Sequence, residues 1–168
     1  MVTNVVGDFT VFVDGFGKWG TCETLKLPVL EAKTEEFRGG GMDTPRTIVL
    51  GTEKLELGFT LTSHDPQVIG LWGLAPGVQR DFTVRGSLIV PGEEEKPVIS
   101  NASGQILKLD NGDWKPGEKA GLEVMVGDII FYRHRIDGQE VHRIDVINQV
   151  RVVNGVDQLT TRRRNLGR

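Results

Sequence analysis

The sequence predicts a mainly β protein, an antiparallel β-barrel or sandwich with one short helix and extended arms. Apolar and polar residues alternate along several segments, most regularly over 55–62, as they do in a strand with one buried face. Asp-Gly and Asn-Gly pairs, which favour tight hairpin turns, occur beside such segments, and Gly accounts for 22 of the 168 residues. Short turns between neighbouring antiparallel strands are therefore expected over most of the chain.

The first strand contains Phe9 and Val11 and leads into a turn at Asp14-Gly15. Further extended segments are expected, in chain order, at 22–27, 31–38, 55–61, 82–90, 98–109 and 122–136. The acidic segment 91–97 is interpreted as a loop between two strands, because the extended pattern continues on both sides of it.

A short helix is expected at about residues 65–73. Asp65 can accept hydrogen bonds from the first turn, and Pro66 suits the first helical position, where no N–H donor is needed. Gly73 can supply a left-handed C-terminal cap. Three apolar residues would share the buried face of this helix: Val68, Ile69 and Trp72.

A two-residue turn at Asp137-Gly138 predicts the register of the C-terminal hairpin. An opposite-charge pair then lies near the tip, and apolar residues oppose each other along one face. The predicted pairs are Arg135 with Glu140, Phe131 with Ile144, and Ile129 with Val146. Asn154-Gly155 predicts a second tight turn soon afterwards.

The same register bears on a metal site at His134 and His142. It places His134 opposite Val141 and His142 opposite Arg133, so that the two imidazoles project from opposite faces of the hairpin. Several Arg side chains nearby would also repel a cation. No metal site is expected.

The composition is that of an ordinary folded protein, and residues 1–168 are expected to form a single domain. The chain is 38% apolar and 26% charged, which argues against extensive disorder. Its single cysteine, Cys22, cannot form an internal disulfide. The longest apolar runs fall short of the roughly 18 residues that cross a bilayer, so no membrane anchor is expected.

Catalysis has little support in the sequence. Asp65 beside His64 has a better use as a helix cap, Cys22 has no evident His partner, and no Gly-x-Ser-x-Gly turn is present. The run Gly39-Gly40-Gly41 lacks the Gly-Lys-Ser/Thr of a phosphate loop. It is interpreted as a loop that needs positive φ or a close backbone approach to this chain or another. No catalytic residue and no cofactor are expected.

Charge is distributed unevenly along the chain. From Arg133 to Arg168, eight Arg accompany four acidic residues (net +4), whereas the preceding part holds 12 basic and 19 acidic residues (net −7). A basic end can contact nucleic acid or the acidic surface of another subunit. The absence of aromatic residues after Tyr132 favours subunit contact, because nucleic-acid modules usually add stacking platforms. The three tryptophans are expected to be core or interface anchors: Trp19, Trp72 and Trp114.

Five segments, in the same order and at similar spacing, resemble the major tail tube proteins of contractile phages, a family that includes the tubes of P2-like myophages and R-type pyocins. They are 33–43, 111–120, 140–148, 153–159 and 164–167. The segment 111–120 resembles the pyocin branch. The acidic loop 91–97 and the terminal Arg168 are local departures from the family pattern.

The resemblance implies a β-barrel-like fold with a small helix, assembled into hexameric rings that stack as a hollow tube inside a contractile sheath. It implies a virion tail or a bacteriocin particle, assembled in the bacterial host cytoplasm. The implied partners are other copies of the chain, the sheath protein, the tape-measure protein, the baseplate hub and the tail terminator. In a phage, DNA would pass through the lumen without sequence-specific binding, and in a bacteriocin the tube would open the target envelope.

Two groups of residues are expected at subunit interfaces, one in the Gly-rich arm and one near the C-terminus. They are Phe37, Arg38, Gly39, Gly40, Gly41, Met42 and Asp43, and Asn154, Gly155, Val156, Asp157, Arg163, Arg164 and Asn165. Two alternative functions stay open at this point. The first is a monomeric β-barrel that binds nucleic acid through the Arg-rich C-terminus, and the second is an enzyme with a barrel pocket.

Overall fold

The computed structural model describes residues 3–168 and consists mainly of antiparallel strands, which confirms the predicted fold class. Residues 1 and 2 of the predicted domain lie outside the described residues. The strands are β1 (Val5–Val13), β2 (Phe16–Gly17), β3 (Cys22–Lys26), β4 (Ala32–Phe37), β5 (Arg46–Thr52), β6 (Leu57–Leu61), β7 (Arg80–Ile89), β8 (Lys96–Asp110), β9 (Leu122–Ile136), β10 (Gln139–Asp145), β11 (Val150–Val153) and β12 (Val156–Asp157). The helices are α1 (Pro66–Ile69) and α2 (Thr160–Asn165).

Ten strands form one sheet, whose main path runs β12-β11-β10-β9-β8-β7-β1-β2. The long strand β9 has two partners on one edge, because its first half pairs with β6 and its second half with β10. Strand β3 extends the sheet beyond β6. Strands β4 and β5 pair only with each other and form a separate hairpin, which we call the arm (residues 32–52).

The sheet curls around its hydrophobic core. The rings of Phe59 on β6 and Phe82 on β7 lie 6.3 Å apart, although β8 and β9 separate these strands in the sheet. Irregular pairing of β8 with β9 near Gly104 accompanies the bend, and a Cβ at Gly104 would lie only 2.7 Å from the carbonyl oxygen of Gly127. Val68 of α1 is fully buried in the same core.

The predicted helix is confirmed but is shorter than expected. Asp65 caps α1 by accepting a hydrogen bond from the backbone N–H of Gln67 at 2.9 Å, and Pro66 occupies the start of the helix. The helix ends at Ile69, so Gly73, with φ of +84°, serves a later turn. Trp72 consequently leaves the buried face, and its indole N–H donates to the carbonyl of Leu107.

A buried ion pair fixes the position of α1. Lys18 is only 7% exposed, and its Nζ lies 2.5 Å from Oδ2 of Asp65 and donates to Gln67. Burial raises the pKa of Asp65, but hydrogen bonds from Lys18 and the Gln67 N–H outweigh this effect and hold the pKa below its usual value. The carboxylate therefore serves at once as helix cap and as counter-ion.

The predicted register of the C-terminal hairpin is correct only at its tip. Arg135 pairs with Glu140 as expected, but a bulge after Glu140 shifts every later pair by one residue. His142 therefore pairs with His134, and both imidazoles lie on one face, contrary to the prediction. The other predicted pairs are also wrong: Ile144 pairs with Tyr132, and Asp145 with Phe131.

The helix α2 was not anticipated, because the sequence suggested only a basic tail there. Its N-cap, Leu159, makes no side-chain capping bond, and α2 contains three consecutive arginines. Among residues 3–168, no helix is long and apolar enough to span a membrane.

Candidate subunit-interface surfaces

The arm stands apart from the main sheet and exposes apolar side chains. Every residue of β4 is exposed, and Phe37 retains 55% of its surface. Strand β5 adds three exposed apolar residues: Ile48, Val49 and Leu50. Because an isolated two-stranded hairpin is marginally stable in water, an arm whose apolar side chains are exposed within residues 3–168 is a candidate for contact with another chain.

The structure brings the first group of predicted interface residues together at the tip of the arm. Nε of Arg38 donates to the carbonyl of Met42 at 3.1 Å, and the N–H of Met42 donates to the carbonyl of Gly39 at 3.2 Å. Gly41 has φ of +82°, the positive value expected of this loop. Phe37 and Met42 line one side of a groove of about 400 Å³ whose other wall is β5.

A second groove lies at the base of the arm and was missed by sequence reasoning. It has a volume of about 620 Å³, and we call it the acidic groove. Apolar lining comes from Leu25, Val29, Phe59, Val124 and Met125, acidic lining from Glu31, Glu53, Glu56 and Glu123, and basic lining from Lys26 and Lys54. The base of the arm places Glu31 beside Glu53, and the pairing of β6 with β3 and β9 brings the distant Glu123 to the same groove.

The second group of predicted residues surrounds α2. Asn154-Gly155 forms the expected tight turn, with φ of +49° and +82°. Nη2 of Arg163 lies 2.5 Å from Oδ2 of Asp157, and its Nη1 donates to the carbonyl of Gln149 at 2.8 Å. The hydrogen bond from Arg163, together with one from the N–H of Leu159, lowers the pKa of Asp157 to about 2.

The C-terminal group therefore contains residues that form contacts within the described chain and residues whose side chains are exposed. Asp157 and Arg163 hold α2 against the sheet, whereas Val156, Arg164 and Asn165 are exposed. No hydrogen bond or ion pair joins this group to the arm tip among the described residues.

The side-by-side histidines form a polar cluster within the sheet. Nδ1 of His134 is hydrogen-bonded to the hydroxyl of the buried Ser100 at 2.6 Å, and its ring stacks on Tyr132. Burial and the neighbouring His142 lower the pKa of His134, which favours the neutral ring. No third ligating side chain completes a metal site with this pair within residues 3–168.

The three tryptophans are exposed, so the expectation that they could be core residues is wrong. Trp114 packs against His64, with ring centroids 5.1 Å apart, and Trp19 follows the buried Lys18. Their role as interface anchors stays a prediction.

Comparison with known proteins shows the family to which the chain belongs. Residues 3–167 match the family model described as phage tail tube protein FII. The chain belongs to this family of phage tail tube proteins. It is 31% identical over 161 residues to the tail tube protein of Escherichia phage P2, covering 94% of this chain and 93% of the relative. It is 24% identical over 140 residues to the major tail tube protein of Serratia phage KSP20, covering 83% and 81% respectively.

The family resemblance predicted from the sequence is thereby confirmed. Phage tail tube proteins are structural components of the virion, not enzymes. The function of this tail tube protein therefore depends on the surfaces through which copies of the chain contact each other.

Proposed function

We propose that this protein is the structural subunit of the inner tube of a contractile injection particle, a phage tail or an R-type bacteriocin. Copies would form hexameric rings that stack around a hollow lumen. The observation that carries the proposal is the arm, whose apolar residues Phe37, Ile48 and Leu50 stay largely exposed within residues 3–168. In a tube, the arm would reach a neighbouring subunit or ring and bury Phe37, Met42 and Ile48 there.

Ring closure requires a second contact, and the open edge of the sheet supplies a candidate. Strand β1 pairs with β7 on one side, but on the other side β2 covers only Phe12 and Val13. Residues 5–10 therefore present an edge without a strand partner among the described residues. We propose that the sheet continues across this edge into the next subunit, since a head-to-tail contact repeated around a ring leaves no edge exposed.

One sheet face is strongly basic, which bears on the orientation of the subunit. Arg133 pairs with Arg143, and Arg135 lies two residues along the same strand, so the three guanidinium groups share a face. Arg85 lies on the same face, because it pairs with Ile99 on β8 and Ile99 pairs in turn with Arg135 on β9. DNA must slide through a phage tube, so we propose that this face points away from a neutral or acidic lumen.

The remaining partners follow from the same proposal. The outer surface of the tube would face the sheath protein, the lumen would hold the tape-measure protein, and the ends would meet the baseplate hub and the tail terminator. The particle would be assembled in the bacterial cytoplasm.

Electron microscopy of the concentrated protein tests this function. Hollow tubes or six-fold rings of uniform width are the expected result. Dispersed monomers whose DNA affinity falls steeply with salt would instead support the alternative, a nucleic-acid-binding module using the Arg-rich C-terminus.

Deletion of Gly39 to Asp43 tests the arm separately from ring closure. The deletion shortens an exposed loop, so the fold should persist while tubes are lost. Tubes of normal length from this variant would exclude the arm from assembly.

A further inference from the structure

Two unpaired carboxylates are held side by side at the base of the arm. The N–H of Glu53 donates to the carbonyl of Glu31 at 2.8 Å, which places these exposed acids next to each other on the rim of the acidic groove. Like charges at neighbouring positions repel each other unless a cation compensates them. Neither carboxylate forms an ion pair with a Lys or Arg of residues 3–168.

Two lysines, Lys26 and Lys54, line the acidic groove together with four glutamates, so the lining keeps a net charge of −2. Lys54 pairs with Glu56 at 2.9 Å. Arg151, which lines an adjoining groove with Glu31, donates from Nη1 to the hydroxyl of Thr52. The acidic groove thus keeps a net negative charge above an apolar floor.

The C-terminal helix offers the complementary surface. Arg163 and Arg168 bind carbonyl oxygens of Gln149 and Ile147, which holds α2 in place. Arg162 and Arg164 project on either side of Arg163 and are exposed, and neither has an acceptor within the described chain. Leu166, at the end of α2, is also exposed.

We propose that Arg162 and Arg164 of one copy bind Glu31 and Glu53 of a neighbouring copy, with Leu166 entering the acidic groove. A guanidinium group suits this position, because its fork of donors matches carboxylate geometry. The contact is head-to-tail, so each copy uses both surfaces, as an open or ring-shaped assembly requires. The inference rests on the proposed assembly into tubes and specifies one of its contacts.

Charge exchange between the two surfaces tests the contact. The double substitution R162E/R164E should raise the concentration needed for assembly about tenfold or more, since it places four like charges together. The reverse change E31R/E53R should have a similar effect. Combining all four substitutions should restore assembly, because the attraction is re-formed with its signs exchanged.

A matched combination controls for net charge. R162E/R164E joined to E94R/E118R has the same net charge as the restoring variant, but Glu94 and Glu118 are exposed acids outside the acidic groove. This variant should stay impaired. Circular dichroism should show the wild-type fold throughout, and if the arginine variants fail to fold, E31R/E53R with E94R/E118R as its control tests the same contact.

The possible outcomes separate this inference from the proposed function. If the wild-type protein forms no tubes or rings, the proposed function fails, and the inference with it. If tubes form but R162E/R164E assembles at the wild-type concentration, only the inference is overturned. Equal restoration by the groove and control substitutions would also overturn it, since net charge alone would then explain the effect.

Discussion

Replacing Phe37 by Ser should weaken assembly without weakening the fold. An aromatic side chain offers roughly 200 Å² of surface, and Phe37 keeps 55% of its surface exposed, so about 110 Å² is free to be buried by a neighbour. At about 25 cal/mol per Å², full burial contributes about 2.8 kcal/mol to each contact, which corresponds to roughly a hundredfold change in the association constant. The free energy of unfolding of the monomer should change by less than about 0.5 kcal/mol, because the substitution lies at an exposed site.

Sedimentation across a dilution series measures the concentration needed for assembly, and urea denaturation of dilute protein measures stability. Phe37→Leu should retain most of the assembly, because it keeps an apolar side chain at the same position. Phe16→Ser provides a control outside the arm, since Phe16 is 57% exposed at the β1–β2 turn. Assembly of Phe37→Ser at the wild-type concentration would refute the role of the arm, and an equal loss in Phe16→Ser would show that the effect is not specific to it.

Three further predictions concern the fold that carries these surfaces. Lys18→Met should lower the free energy of unfolding by about 2–3 kcal/mol in urea titrations, because it leaves the 19%-exposed carboxylate of Asp65 without its counter-ion. In the wild type, the stability that this ion pair contributes is present above the ordinary carboxyl pKa and is lost as pH falls through the lowered pKa of Asp65. The stability of Lys18→Met should therefore depend much less on pH in this acid range. The pKa of Asp157 near 2 means that its contact with Arg163 should persist well below pH 3.8 and be lost toward pH 2, and Asp157→Asn should speed hydrogen exchange in α2 at neutral pH. Gly104→Val should cost about 1–3 kcal/mol in thermal or urea unfolding, because its Cβ would clash with backbone where β8 bends, and wild-type stability in this variant would contradict the packing argument.

Local chemistry was predictable from the sequence wherever one or two residues decide the geometry. Asp65 caps α1 because its side chain reaches an N–H two residues away, and the Asp14-Gly15, Asp137-Gly138 and Asn154-Gly155 turns all adopt positive φ at both residues. These features depend on nearest neighbours, so a single sequence specifies them. The family was also recognisable, because several short segments that resemble tail tube proteins occur in the same order along the chain.

Features set by tertiary contact were not predictable in the same way. A bulge after Glu140 moves His142 by one position, and a period-two pattern contains no signal for one extra residue. The end of α1 at Ile69 and the presence of α2 depend on where their side chains find partners. Arg163 is a clear example, since its binding to Asp157 and to the carbonyl of Gln149 stabilises a short helix that lacks a capping side chain.

The two groups of predicted interface residues differ in whether contacts within one chain already account for them. Asn154-Gly155 is accounted for by a tight turn, and Asp157 with Arg163 by the attachment of α2, so these residues have a role in folding whether or not the protein assembles. Phe37 has no comparable role, because its ring lies at the tip of the arm and leaves 55% of its surface exposed. A hairpin that exposes apolar side chains is costly for a monomer and useful only where a neighbour covers it. Substitutions in the arm should therefore affect assembly alone, whereas those at Asp157 should affect the fold first and assembly through the displacement of α2.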